Sequence, residues 1–240
     1  MNEYLRRSPM NSKKFLRLCG KGTPQQIKTA IEDGTDVNVR GENGRTALME
    51  AVYNYTDLSV IIINALLEGG ADIEARDKRG WTVLVHAIYS NEDPDVINAL
   101  LESGADVNAR DEDYNTVLMH AAHCAHSSVV NALLEGGADV NARNKNGWTA
   151  LMSAHDACPG VINALLESGA DVDARDKDDR TTLMYAAFVN DNPEVITALL
   201  DSGADAKLKD NDGLMAIDCA EENPKLRDTD VLERLRKASY

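Results

Sequence analysis

A Gly-x-Asp motif recurs six times in this chain, at Gly34, Gly70, Gly104, Gly137, Gly169 and Gly203, with spacings of 36, 34, 33, 32 and 34 residues. Seventeen residues after each glycine stands an alanine: Ala51, Ala87, Ala121, Ala154, Ala186 and Ala220. That interval never varies. The drift lies between the alanine and the next apolar run, marked by Ile62, Val96, Val129, Val161 and Val195, with gaps of 11, 9, 8, 7 and 9. A regular repeat of this length means a stack of similar small units, each packed on its neighbours, in place of one large core. A half-unit of constant length beside one that drifts predicts that the constant half builds a continuous surface.

The unit from Trp81 to Tyr114 gives the local grammar. Thr82 precedes the apolar run Val83-Leu84-Val85-His86-Ala87-Ile88, and a threonine there is a helix N-cap signal. The first helix is expected over about 82–89. Asn91-Glu92-Asp93-Pro94 breaks it, and Val96 to Leu101 carries apolar residues at helical spacing. Gly104 closes that second helix, because glycine accepts the left-handed conformation of a helix C-terminus. An extended stretch, Ala105 to Asp111, leads into the next unit. The same grammar recurs at Thr46, Thr116, Thr149 and Thr181.

The sequence resembles the ankyrin-repeat family. Gly-Ala-Asp-Val-Asn stands at 104–108 and 137–141, and Asp77-Lys78-Arg79-Gly80-Trp81-Thr82 carries the family's Asp-x-x-Gly-x-Thr. The resemblance spans roughly residues 12 to 237, in register six times. It implies an all-α repeat fold, an α-solenoid of helix pairs with projecting hairpin-like turns. About five central units (45–80, 81–114, 115–147, 148–179 and 180–213) would lie between capping units at 12–44 and 214–240, all in one domain over 12–240 behind a flexible tail at 1–11. The family's Thr-Pro-Leu-His is altered: methionine or valine replaces the histidine, as in Thr46-Ala47-Leu48-Met49 and Thr82-Val83-Leu84-Val85. Cohesion at that column is expected to be apolar packing.

Composition narrows the partners. The formal net charge is -15, which repels phosphate backbones and argues against nucleic acid. No apolar run approaches the ~20 residues that span a bilayer, so membrane insertion is not expected. The residues after Met1 lead into Ser8-Pro9 and not into an apolar stretch, so no secretory leader is expected. Cys19, Cys124, Cys158 and Cys219 show no pairing rhythm. A reducing cytoplasm is the default location, with a secreted effector acting in a host cell as the alternative.

Arrays of the family bind partners through hairpin tips and the concave face of the first helices. Carried over column by column, that implies a partner-binding set of Tyr53, Lys78, Arg79, Trp81, His86, Tyr89, Glu112, Asp113, Tyr114, His120, His123, Lys145, Trp148, Tyr185 and Phe188. Seven of the eleven aromatic residues fall on these columns or the adjoining turn. Aromatics gathered on one face serve as interface anchors. A tryptophan before the threonine equally stiffens an array by packing on the next hairpin. The tips vary in charge, from Lys78-Arg79 to Glu112-Asp113, which suits one irregular protein partner better than a uniform polymer. Nothing in the pattern calls for self-association or a cofactor.

Other ladders read as structural. Asp36, Asp72, Asp106, Asp139, Asp171 and Asp205 are placed to satisfy turn amides. Arg40, Arg76, Arg110, Arg143 and Arg175 precede a mostly acidic column, with which they are expected to form a charge network. Tyr114 and Asp179 replace the turn glycine; if positive φ is kept, the tyrosine costs about 1–2 kcal/mol.

Catalytic chemistry finds little footing. Ser153, His155 and Asp156 lie too close along one helix to converge as a triad. Gly20-Lys21-Gly22-Thr23 lacks the frame of a phosphate loop. His120, His123 and Cys124 have helical spacing suited to a metal, but no second ligand pair accompanies them. The reading is a non-catalytic protein-binding scaffold; the alternative is a metal- or small-ligand-binding module centred on His120 and His123.

Overall fold

The computed structural model describes residues 9–53, 58–90, 94–124, 126–156, 158–189, 192–227 and 229–240. Residues 1–8 of the expected tail and the expected break at Asn91-Glu92-Asp93 lie outside the described residues. The chain forms α1 (Ser12–Lys21), α2 (Pro24–Glu32), α3 (Ala47–Ala51), α4 (Ser59–Glu68), α5 (Val83–Ser90), α6 (Pro94–Glu102) and α7 (Val117–Cys124). It continues with α8 (Ser127–Glu135), α9 (Ala150–Ser153), α10 (Pro159–Glu167), α11 (Thr182–Val189), α12 (Pro193–Asp201), α13 (Ala216–Glu222) and α14 (Asp230–Ser239). Two compact units divide it, residues 1–112 and 113–240. In the first, α1 packs on α3 and α3 on α5, while α2 packs on α4 and α4 on α6. The second repeats this, with α7, α9, α11 and α13 in one layer and α8, α10, α12 and α14 in the other.

Local signals place these elements. Thr46, Thr116, Thr149 and Thr181 each accept the backbone N–H three residues on, at 3.3–3.4 Å. The methionine at that third position returns the bond. Sulfur of Met49, Met119 and Met184 accepts from the N–H of Thr46, Thr116 and Thr181 at 3.4–3.5 Å. Methionine here is thus more than apolar filler: its weak acceptor stands where a capping box has Glu or Gln. On α5 the third position is Val85, and the expected Thr82 cap is not made. The Thr82 hydroxyl is buried without a hydrogen-bond partner.

The six repeat glycines all have φ between 86° and 91°, the left-handed state of a helix C-terminus. The six aspartates behave as expected, each accepting the N–H two residues on. Among the described residues the core is built mainly from Leu, Ile, Val, Ala and Met, joined on α1 by fully buried Phe15 and Cys19.

The hairpins are turns and not strands. An isolated antiparallel bridge pairs Arg40 with Thr46. Successive tips are joined through their backbones: Lys78 N–H donates to Asn43 C=O, and Lys177 N–H to Asn146 C=O, at 3.1 and 3.0 Å. The arginine row departs from expectation. Arg40 donates to the carbonyl of Gly44 at 3.2 Å and to that of Arg76 at 2.6 Å. Arg76 reaches Gly80 and Arg110 carbonyls in the same way, and Arg143 and Arg175 reach those of Arg175 and Lys209. A planar fork of donors suits two carbonyls at once. Two of the acids expected as partners, Asp77 and Asp176, are engaged elsewhere.

Candidate functional site

Those acids close the hairpins. Oδ1 of Asp77 accepts the N–H of Arg79 and Trp81, and Oδ1 of Asp176 that of Asp178 and Arg180, all within 2.8–3.0 Å. The second carboxylate oxygen then points to the first helix that follows. Asp77 Oδ2 lies 3.0 Å from Nε2 of His86, and Asp176 Oδ2 accepts the hydroxyl of Tyr185 at 2.6 Å. In both places the acid stands nine residues before the ring it holds.

In the unit of residues 1–112, this pairing organises most of the expected site. Nδ1 of His86 is 3.1 Å from the Tyr53 hydroxyl, which accepts from Arg45 Nη2 at 3.1 Å. One directional chain satisfies every group: Arg45 donates to Tyr53, Tyr53 to His86, and His86 to Asp77. It requires the neutral ring with its proton on Nε2. Burial, and then the Arg45 cation, lower the His86 pKa against the raising effect of Asp77. The neutral form fits both. Trp81 meets His86 edge-on at 5.6 Å and stacks on Tyr89 at 4.9 Å with the planes 6° apart. Arg79 lies over Trp81 at 5.0 Å, and Arg45 over Tyr53 at 4.7 Å.

A His–Asp pair is half of an acid–base device, but here the ring is already committed on both sides. The His86 side chain is 1 % exposed and both ring nitrogens are occupied. A general base must reach the proton it takes. His86 was expected to line the binding face; it lies beneath it.

In the unit of residues 113–240, Trp148 meets His155 edge-on at 5.7 Å and Tyr185 at 4.8 Å. His155 Nδ1 lies 2.7 Å from the Met152 carbonyl, which anchors that ring as a packing group. Tyr114 and Asp179 hold φ of 64° and 61°, so both turns keep the left-handed state without glycine. Tyr114 is 54 % exposed, and Lys145 lies 5.6 Å from its ring and 3.6 Å from Asp113 Oδ1. His120 is buried whereas His123 is exposed, and Cys124 is half-buried. Among the described residues no group of three or more His, Cys, Asp and Glu is arranged to hold a metal ion.

Of the expected binding set, Lys78, Arg79, Tyr89 and Glu112 are exposed within residues 1–112, and Asp113, Tyr114, His123, Lys145 and Phe188 are exposed within residues 113–240. Tyr53, Trp81, Trp148 and Tyr185 are half-buried. Asp77 and Asp176, which hold the His86 and Tyr185 rings, are absent from the expected set, although their shared nine-residue offset was readable.

A family model described as ankyrin repeats (3 copies) matches residues 16–111 and 91–176. A second, ankyrin repeats (many copies), matches residues 165–220. Comparison with curated proteins gives no match.

Proposed function

Because the chain belongs to the ankyrin-repeat family, whose arrays generally act as protein–protein interaction modules, we propose that it is a non-catalytic scaffold binding a protein partner through hairpin tips and first-helix faces. One observation carries the reading: large rings stay exposed on columns whose inner neighbours are locked. Tyr89, Tyr114 and Phe188 are 42 %, 54 % and 55 % exposed, while Trp81 stacks under Tyr89 and Trp148 contacts Tyr185. Rings held in place before contact lose little entropy on binding, which favours affinity. The tryptophans thus belong to both readings of the sequence, as packing groups that pre-position the anchors. A reducing cytoplasm suits four cysteines that form no disulfide. Among the described residues no helix is long and apolar enough to cross a membrane.

The test separates the two layers. A Tyr89→Ala, Tyr114→Ala, Phe188→Ala triple variant should melt near the wild type and lose partner capture from lysate. Trp81→Ala with Trp148→Ala should lose both capture and roughly 1–3 kcal/mol of stability. A folded triple variant that captures the same proteins as wild type would refute the proposal.

A further inference from the structure

Within residues 113–240, a cavity of about 180 Å³ opens beside α11 and α13. Binding sites for drug-sized molecules run ~300–1,000 Å³, so this one has the scale of a single side chain. Its walls combine two chemistries. Met184, Phe188 and Leu214 supply an apolar side, of which Phe188 and Leu214 are 55 % and 45 % exposed. Asp210, Asp218 and Glu222 supply an acidic side.

The lone cation of the lining, Arg180, is already engaged. Its Nε lies 3.4 Å from Asp210 Oδ2 and its Nη2 lies 3.7 Å from Asp212 Oδ2. That leaves the carboxylates of Asp218 and Glu222 to set the field. Asp218 is fixed by accepting the Met215 N–H at 2.8 Å, and Glu222 is exposed at the end of α13. Cys219 lies in the same wall, where burial, and then the Asp210 and Asp218 carboxylates, push its thiol pKa up. The whole chain adds to this field with its net charge of -15.

From this geometry we infer that the cavity receives a basic side chain, arginine or lysine, of a partner peptide segment that also carries apolar residues. The charged head meets Asp218 and Glu222. The aliphatic stem lies along Met184, and the segment's apolar residue covers Phe188 and Leu214. Long cationic side chains pair an apolar stem with a charged tip, which matches the two-sided lining. An acidic side chain would face like charge, which penalises the wrong partner. This inference rests on the protein-binding reading above and narrows it to a basic, apolar-flanked segment.

A direct test uses a fluorescein-labelled, amidated peptide alternating leucine and arginine, with a leucine–glutamate peptide as its charge-reversed control. Fluorescence polarisation with the full chain should show binding of the first and not the second, weakening as salt rises. Glu222→Lys and Phe188→Ala should each weaken it about tenfold or more. Both residues are exposed, so the variants should remain folded. Glu135→Lys on α8 changes net charge equally and should leave affinity within about twofold. Equal binding of both peptides, no binding of the arginine peptide, or an equal loss in Glu135→Lys would overturn the inference. A protein partner lost by the Tyr89, Tyr114, Phe188 triple variant but retained by Glu222→Lys would also sink the cavity, while leaving the broader proposal standing.

Discussion

Residues 77–89 and 176–188 follow one plan with different parts. In each, an acid closes a hairpin through Oδ1 and holds a first-helix ring through Oδ2. The held ring is His86 in one and Tyr185 in the other, followed three residues later by exposed Tyr89 or Phe188. The turn position is Gly80 in one and Asp179 in the other, both at positive φ. The helix is uncapped by Thr82 in one and doubly capped through Thr181 and Met184 in the other. The shared part is the bond from acid to ring. What varies is which way the ring's pKa is moved, down for His86 and up for Tyr185, and how firmly the helix start is tied. The frame is therefore set by the carboxylate, and the ring sets the response to conditions.

The largest expected effect falls on what the two share. Asp77→Ala and Asp176→Ala each strip two turn amides and a ring of their acceptor. At about 1–3 kcal/mol per orphaned group, each should cost roughly 3 kcal/mol or more in denaturant unfolding. If one of the two proves silent, the common plan is wrong.

Titration leaves the carboxylate in place and separates the two regions. Unfolded histidine takes its proton near pH 6.5, whereas folded His86, lowered mainly by burial and by Arg45, takes it only at lower pH. Between those points the unfolded chain binds more protons, so stability falls as pH drops below about 6.5. Tyr185 runs the other way, its pKa raised from 10.0 to about 12 by burial and then by the bond to Asp176. Its contribution is intact below pH 10.0 and is lost as pH rises from there toward about 12. Melting temperatures across pH should show a shallower acid limb in His86→Gln and a shallower alkaline limb in Tyr185→Phe. Profiles parallel to wild type in both windows would contradict this assignment.

The smallest difference lies at the helix starts. Thr181→Val should cost about 1 kcal/mol through the lost cap. Thr82→Val should be neutral or slightly stabilising, since it removes a buried hydroxyl that has no partner. Equal losses in the two would show that Thr82 is bonded in solution.

Much of the frame was legible because its signals are local. Glycine at a helix C-terminus, threonine before an apolar run and aspartate two residues before an amide each act within one turn, and the structure places them accordingly. Contacts that cross from one repeat to the next within a unit were harder to read. The arginine row looked like one half of a charge network, yet it donates to carbonyls, because turn amides already occupy the neighbouring acids. His86 looked like a groove residue, and its burial follows from Tyr53, 33 positions upstream. The metal alternative rested on helical spacing alone, and spacing along a helix does not decide that His120 turns inward while His123 turns out.

The backbone bonds between successive tips carry one more consequence, for solvent exchange. The side chains of Lys78, Lys145, Lys177 and Asn211 are exposed, but their amide hydrogens are committed to carbonyls of the preceding tip at 3.0–3.1 Å. Such protons leave only when the tip opens. These four amides should exchange slowly with deuterium on a surface where side-chain exposure alone would suggest speed, and each one reports how often its own turn lets go of the turn before it.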